Sequence, residues 1–161
     1  MNHQSVYFLD TSALVKRYHV EVGSEYMHRL FDLAEGSLSI SFLTVVEVHS
    51  VFARKVRVKE LTLSGFTRVV ERFANDVRKG ELTVVPFDDA HQKRAVELLK
   101  KHAPTRALRT LDALQLAVAV DLMEHGRLGT FVVADETLAG VATQEGATAL
   151  NPETVEQMKT R

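Results

Sequence analysis

Apolar residues along this chain fall into two patterns. Short runs rich in apolar residues occur at 6–9 (VYFL), 38–42 (LSISF), 82–85 (LTVV), 130–134 (TFVVA) and 148–150 (TAL). Their length and bounding turn formers predict four strands and a short fifth. Between them the apolar spacing becomes helical. Tyr26, Met27, Leu30, Phe31 and Ala34 place a helix over 24–35, with Gly36 as its stop. A helix opens near Thr44 and runs to about Arg54 or Lys55. Another covers 62–79, ended by Gly80. Asp88 or Asp89 caps a helix carrying Ala95, Val96, Leu98 and Leu99. Residues 111–123 are apolar almost all round, so that helix lies inside the fold. A short helix follows at 136–144, and Pro152 starts a terminal one. Just after the first strand, Thr11 and Ser12 offer helix caps.

Strands and helices alternate, so the expected class is α/β with a central, mainly parallel sheet of 4–5 strands. At 161 residues, with no repeat and no linker, the expectation is a single domain over 1–161. The first apolar run, VYFL, is too short for the core of a signal peptide, and the longest, 111–123, is too short to span a membrane. The expected location is the cytoplasm. Absence of cysteine fits a reducing compartment and removes thiolate chemistry. Net charge is −1, from 20 basic and 21 acidic residues, which excludes a globally basic nucleic-acid binder but not a local basic patch.

Two strand runs end in the same way, in Asp10 and in Asp135. Ligands of open parallel sheets bind outside the carboxyl ends of the strands, so two such carboxylates can meet there. Taken singly, each reads more readily as a cap of the following helix. Asp112 opens the almost wholly apolar helix, where an ionised carboxylate needs a partner. The helix N-terminus or Arg109 can serve. Glu47 stands among valines in TVVEV, with Val51 and Arg54 one and two turns on. Alone it reads as a solvated flank residue.

The combination carries more than its members. Two carboxylates 4 Å apart repel by about 4 kcal/mol at an effective dielectric near 20. A cluster therefore calls for a bound cation or shared protons. Oxygen-only ligands suit Mg²⁺ or Mn²⁺, the equipment for phosphodiester hydrolysis. Rival sites are missing: there is no P-loop, no GxGxxG, no GxSxG and no HExxH. A phosphoacceptor domain would carry a second acid beside Asp10, where Thr11 stands. Basic residues gather at Arg54, Lys55, Arg57 and Lys59, and again from Lys93 to Arg109. Of these, Arg106 and Arg109 approach Asp112 in sequence and are candidates for nucleic-acid phosphate contacts.

Four segments together resemble PIN-domain proteins, in particular VapC-like ribonuclease toxins of toxin–antitoxin pairs. They are LDTSALVKRY (9–18), SFLTVVEV (41–48), LRTLDALQLAVA (108–119) and FVVADETLAGVA (131–142). The resemblance implies a three-layer α/β/α fold and a catalytic set of Asp10, Glu47, Asp112 and Asp135. Asp10 and Asp112 are implied as the principal ligands of Mg²⁺ (or Mn²⁺), with Ser12 supporting. It further implies an RNA substrate, a small antitoxin that blocks the site, and a homodimer. Many relatives carry His where Gln115 stands and Thr where Val133 stands. The alternative is a PIN-like interaction module without catalysis, which the full set of four acids argues against.

Overall fold

The computed structural model describes residues 6–34 and 37–159. Its centre is a five-stranded, all-parallel sheet in the order β3-β2-β1-β4-β5. The strands are β1 (Val6–Leu9), β2 (Leu38–Ser41), β3 (Thr83–Val85), β4 (Leu128–Val132) and β5 (Ala149–Leu150). Among the described residues eight helices connect or follow them: α1 (Thr11–Leu14), α2 (Ser24–Leu33), α3 (Phe42–Arg57), α4 (Leu63–Lys79), α5 (Asp89–His102), α6 (Thr110–Glu124), α7 (Glu136–Gln144) and α8 (Pro152–Lys159). A 3-10 turn, Val15–Arg17, continues α1.

Side chains of adjacent strand residues point to opposite faces, and that alternation splits the core in two. Phe8 and Phe131 turn to one side, with ring centroids 5.7 Å apart, and pack with Ala95, Leu98, Leu116 and Leu138 from α5, α6 and α7. Leu9 and Val132 turn to the other, against Leu14, Met27, Phe52 and Phe73 from α1 to α4. The result is the expected three-layer α/β/α arrangement. All four of those strand side chains are fully buried. Burying each contributes about 1.5–3 kcal/mol.

Boundaries differ from expectation where capping overrides hydrophobicity. Phe42 does not extend β2. Ser41 accepts from Leu43 N at 2.9 Å and caps α3, which therefore starts at Phe42, two residues before Thr44. This helix also runs on to Arg57. β4 begins earlier and ends earlier than the apolar run, leaving Val133 and Ala134 as the lead-in to α7. Gly80 closes α4 in the left-handed conformation, φ 79°, as its position predicts. The stop assigned to Gly36 lies outside the described residues. The apolar faces of α2 and α4 turn inward, contributing Met27, Leu30, Phe31 and Phe73 to the core. No helix among the described residues is long and apolar enough to cross a membrane.

The chain builds β1, β2 and β3 in one direction, then crosses β1 to lay β4 and β5 on the other side. Strand order therefore reverses between β1 and β4. That crevice, at the carboxyl ends of the two strands, is where an open parallel sheet binds ligands.

Candidate active site

Asp10 ends β1 and its backbone N–H donates to Val132 O at 2.9 Å, so the last rung of the β1–β4 ladder seats it in the crevice. It is Asp10, rather than Thr11 or Ser12, that caps α1. Its Oδ2 accepts from Ser12 N at 2.9 Å and from Ser12 Oγ at 2.5 Å. Ser12 Oγ in turn accepts from Ala134 N at 3.0 Å. One hydroxyl thus ties the first acid to the chain leaving β4. Asp10 is 6% exposed. Burial pushes its carboxyl up from 3.8 to about 6; the Ser12 hydrogen bonds pull it down, and the charges of Glu47 and Asp112 push it up again. Three acids therefore share one electrostatic field.

Glu47 is held from two sides. Thr11 Oγ1 donates to its Oε2 at 2.6 Å, and Gln115 Nε2 donates to the same oxygen at 3.1 Å. The Gln115 amide also donates to Thr44 Oγ1 at 2.8 Å. Gln115 is 1% exposed, and its Oε1 is buried without a partner among the described residues. Thr11, Thr44 and Gln115 were not read as site residues in the sequence. Their spacing held a signal: Thr11 follows Asp10, Thr44 stands one turn before Glu47, and Gln115 one turn after Asp112.

Asp112 sits in the first turn of α6 and is 8% exposed. Its partner is Arg109. The Arg109 backbone N–H donates to Oδ2 at 3.2 Å, its Nε to Oδ2 at 2.9 Å, and its Nη2 to Oδ1 at 3.3 Å. The same Nη2 donates to Asp135 Oδ2 at 3.3 Å. Asp135 uses its other oxygen to cap α7, accepting from Leu138 N at 2.8 Å. Arg109 is held further toward its charged form, first by the hydrogen bond to Asp112 and then by its charge. Arg106 lies elsewhere: its Nη1 is beside Gly140 of α7, and it bonds to none of the four acids.

Arg109 is thus the counter-charge for Asp112 and Asp135, while Asp10 and Glu47 have no ion-pair partner among the described residues. As these side chains stand, no three Asp, Glu, His or Cys residues among the described ones are grouped to ligate one ion. By charge and donor chemistry the residues still fit a divalent cation. The donors are carboxylate oxygens, which hard cations prefer. A carboxyl raised by burial, and further by two neighbouring acids, is the environment that a positive ion relieves.

The family model for the PIN domain matches residues 7–142. Solved structures share the fold. FitAcB from Neisseria gonorrhoeae is 18% identical, with a TM-score of 0.66, covering 91% of this chain and 98% of its own. A toxin–antitoxin complex from Klebsiella pneumoniae is 19% identical at a TM-score of 0.59, covering 92% and 98%. VapC20 of Mycobacterium tuberculosis, a sarcin–ricin loop cleaving toxin, is 15% identical at 0.62, covering 83% and 93%. No curated protein sequence matches at a significant level. The matched stretch runs from β1 into α7 and contains Asp10, Glu47, Asp112 and Asp135, and on that match the chain belongs to the PIN domain family.

Proposed function

We propose that this protein is a Mg²⁺- or Mn²⁺-dependent endoribonuclease and the toxin of a toxin–antitoxin pair. The observation that carries the reading is the state of Asp10. A carboxyl at the strand-order reversal, raised chiefly by its burial and further by the charges of Glu47 and Asp112, is costly to keep unless a cation is to be held there. Membership of the PIN family and the fold shared with VapC20 and a toxin–antitoxin complex support the nuclease and toxin assignments.

In this reading Asp10 and Asp112 hold the metal, and Glu47 and Asp135 complete the acidic set. A bound Mg²⁺ or Mn²⁺ supplies an activated water and offsets the charge building on the phosphate. The chain's own part is positioning. Ser12 fixes the Asp10 carboxylate and couples it to the end of β4. Thr11 and Gln115 fix the Glu47 carboxylate. Arg109, with its side chain 72% exposed, releases Asp112 and turns to a phosphate oxygen, to which a guanidinium bonds in the same forked geometry. Arg106, exposed at the edge of α7, contacts the strand farther out. An antitoxin segment covers the same crevice, and a homodimer presents two of them.

The test is incubation of purified protein with RNA and Mg²⁺ or Mn²⁺. Internal cleavage that a chelator abolishes is expected. RNA left intact under every divalent metal overturns the enzyme reading in favour of a non-catalytic PIN module.

A further inference from the structure

We infer that a groove along α3, opening beside Glu47, binds a nucleotide of the RNA strand next to the bond that is cut. This rests on the ribonuclease reading above. The groove holds about 460 Å³. Its lining joins apolar Leu43, Val46, Val51 and Leu111 with Glu47, and Arg54 and Arg57 line it two to three turns farther along α3. Val46 and Leu111 are 65% and 45% exposed, so this lining is open to solvent.

Helical geometry explains the lineup. Glu47, Arg54 and Arg57 stand seven and three residues apart, close to whole turns, so they share one face of α3. Arg54 lies about 10 Å along the helix axis from Glu47. Both arginines are exposed and form no ion pair among the described residues. Their neighbour Lys55 shows the contrast: it pairs with Glu21 and Glu60.

A single RNA strand matches this order of surfaces. A base has a flat apolar face for Val46 and Leu111, and its phosphate accepts from a guanidinium. The anion belongs beside the arginines, since Glu47 repels it. Charge complementarity and continuity with the acidic crevice favour this occupant over a second copy of the chain.

The test measures a labelled single-stranded RNA by fluorescence anisotropy, in chelator so that nothing is cut, across a salt series. It compares the parent with Arg54→Gln/Arg57→Gln, with Arg54→Lys/Arg57→Lys and with Leu111→Ser. Loss of both arginines is expected to weaken binding about tenfold or more and to flatten the salt dependence by about 1.4, for two phosphates at roughly 0.7 each. The lysine pair restores the slope, and Leu111→Ser weakens binding without changing it. Unchanged affinity and slope in the glutamine pair, with a parent that binds and cuts RNA, overturn the groove and leave the ribonuclease reading standing. A parent that neither binds nor cuts removes both. A change of mass in solution without a change in RNA affinity assigns the face to a second copy and also overturns the groove.

Discussion

Arg109 holds Asp112 in a fork, Nε to Oδ2 at 2.9 Å and Nη2 to Oδ1 at 3.3 Å. The arginine therefore competes with any metal that needs Asp112. An ion pair this exposed on the arginine side contributes about 0.5–1 kcal/mol. Arg109→Gln is then expected to tighten Mn²⁺ binding about two- to fivefold, read by titration calorimetry or by loss of the free Mn²⁺ resonance. Weaker binding in the variant would show that Arg109 helps to hold the metal instead.

The state of Asp10 fixes a pH dependence. Its folded carboxyl sits at about 6 against an ordinary 3.8, so the folded state holds the proton more tightly than the unfolded one. That contribution to stability is full below pH 4 and is lost as pH rises through about 6. A shift of this size corresponds to about 3 kcal/mol. Asp10→Asn should therefore raise the Tm at pH 8 and change it little at pH 4. Mn²⁺ should raise the parent's Tm at pH 8, lose that effect below about pH 6 as Asp10 takes up its proton, and do little for Asp10→Asn.

Gln115 joins α6 to α3 through one buried amide that bonds to Glu47 and Thr44. Replacing it with Leu removes a donor and leaves a buried hydroxyl and a carboxylate oxygen short of a partner. The expected loss is about 1–3 kcal/mol in urea denaturation. RNA cleavage should fall further than stability accounts for, because Glu47 is then held by Thr11 alone. Full cleavage in a correctly folded Gln115→Leu would remove the positioning role.

Ser12 makes the tightest link in the crevice, donating to Asp10 and accepting from Ala134 N. Ser12→Ala breaks both bonds. A loss of about 1–3 kcal/mol is expected, with a further rise of the Asp10 carboxyl as one of its lowering hydrogen bonds disappears. The checkable sign is a shift of the pH–Tm profile toward higher pH in the variant.

Much of this fold was legible because its signals are local. β1 coincides with its apolar run, Gly80 ends α4, and the all-round apolarity of α6 matches its burial among α5, α7 and the sheet. Phe42 misled, since an apolar residue after LSIS reads as more strand; only the Ser41 cap distinguishes a helix start. In the candidate site, Asp10 and Asp135 were marked by strand ends, and Asp112 by its apolar surroundings. Both strand-end acids also cap the following helix, so capping and site geometry were never exclusive alternatives. The hydroxyl–amide net around Glu47 was not legible. Its partners lie 36 and 68 residues away, and no periodicity announces a bond formed only by tertiary packing.

Asp10 and Asp112 are proposed to hold the metal on which RNA cleavage depends. Single-turnover cleavage by the parent, Asp10→Asn and Asp112→Asn, each verified as folded, tests it most directly. The predicted result is metal-dependent cleavage by the parent and a loss of about a hundredfold or more in each variant, the scale on which removing an electrostatic group from a catalytic centre acts. Cleavage by both variants at the parental rate would contradict it.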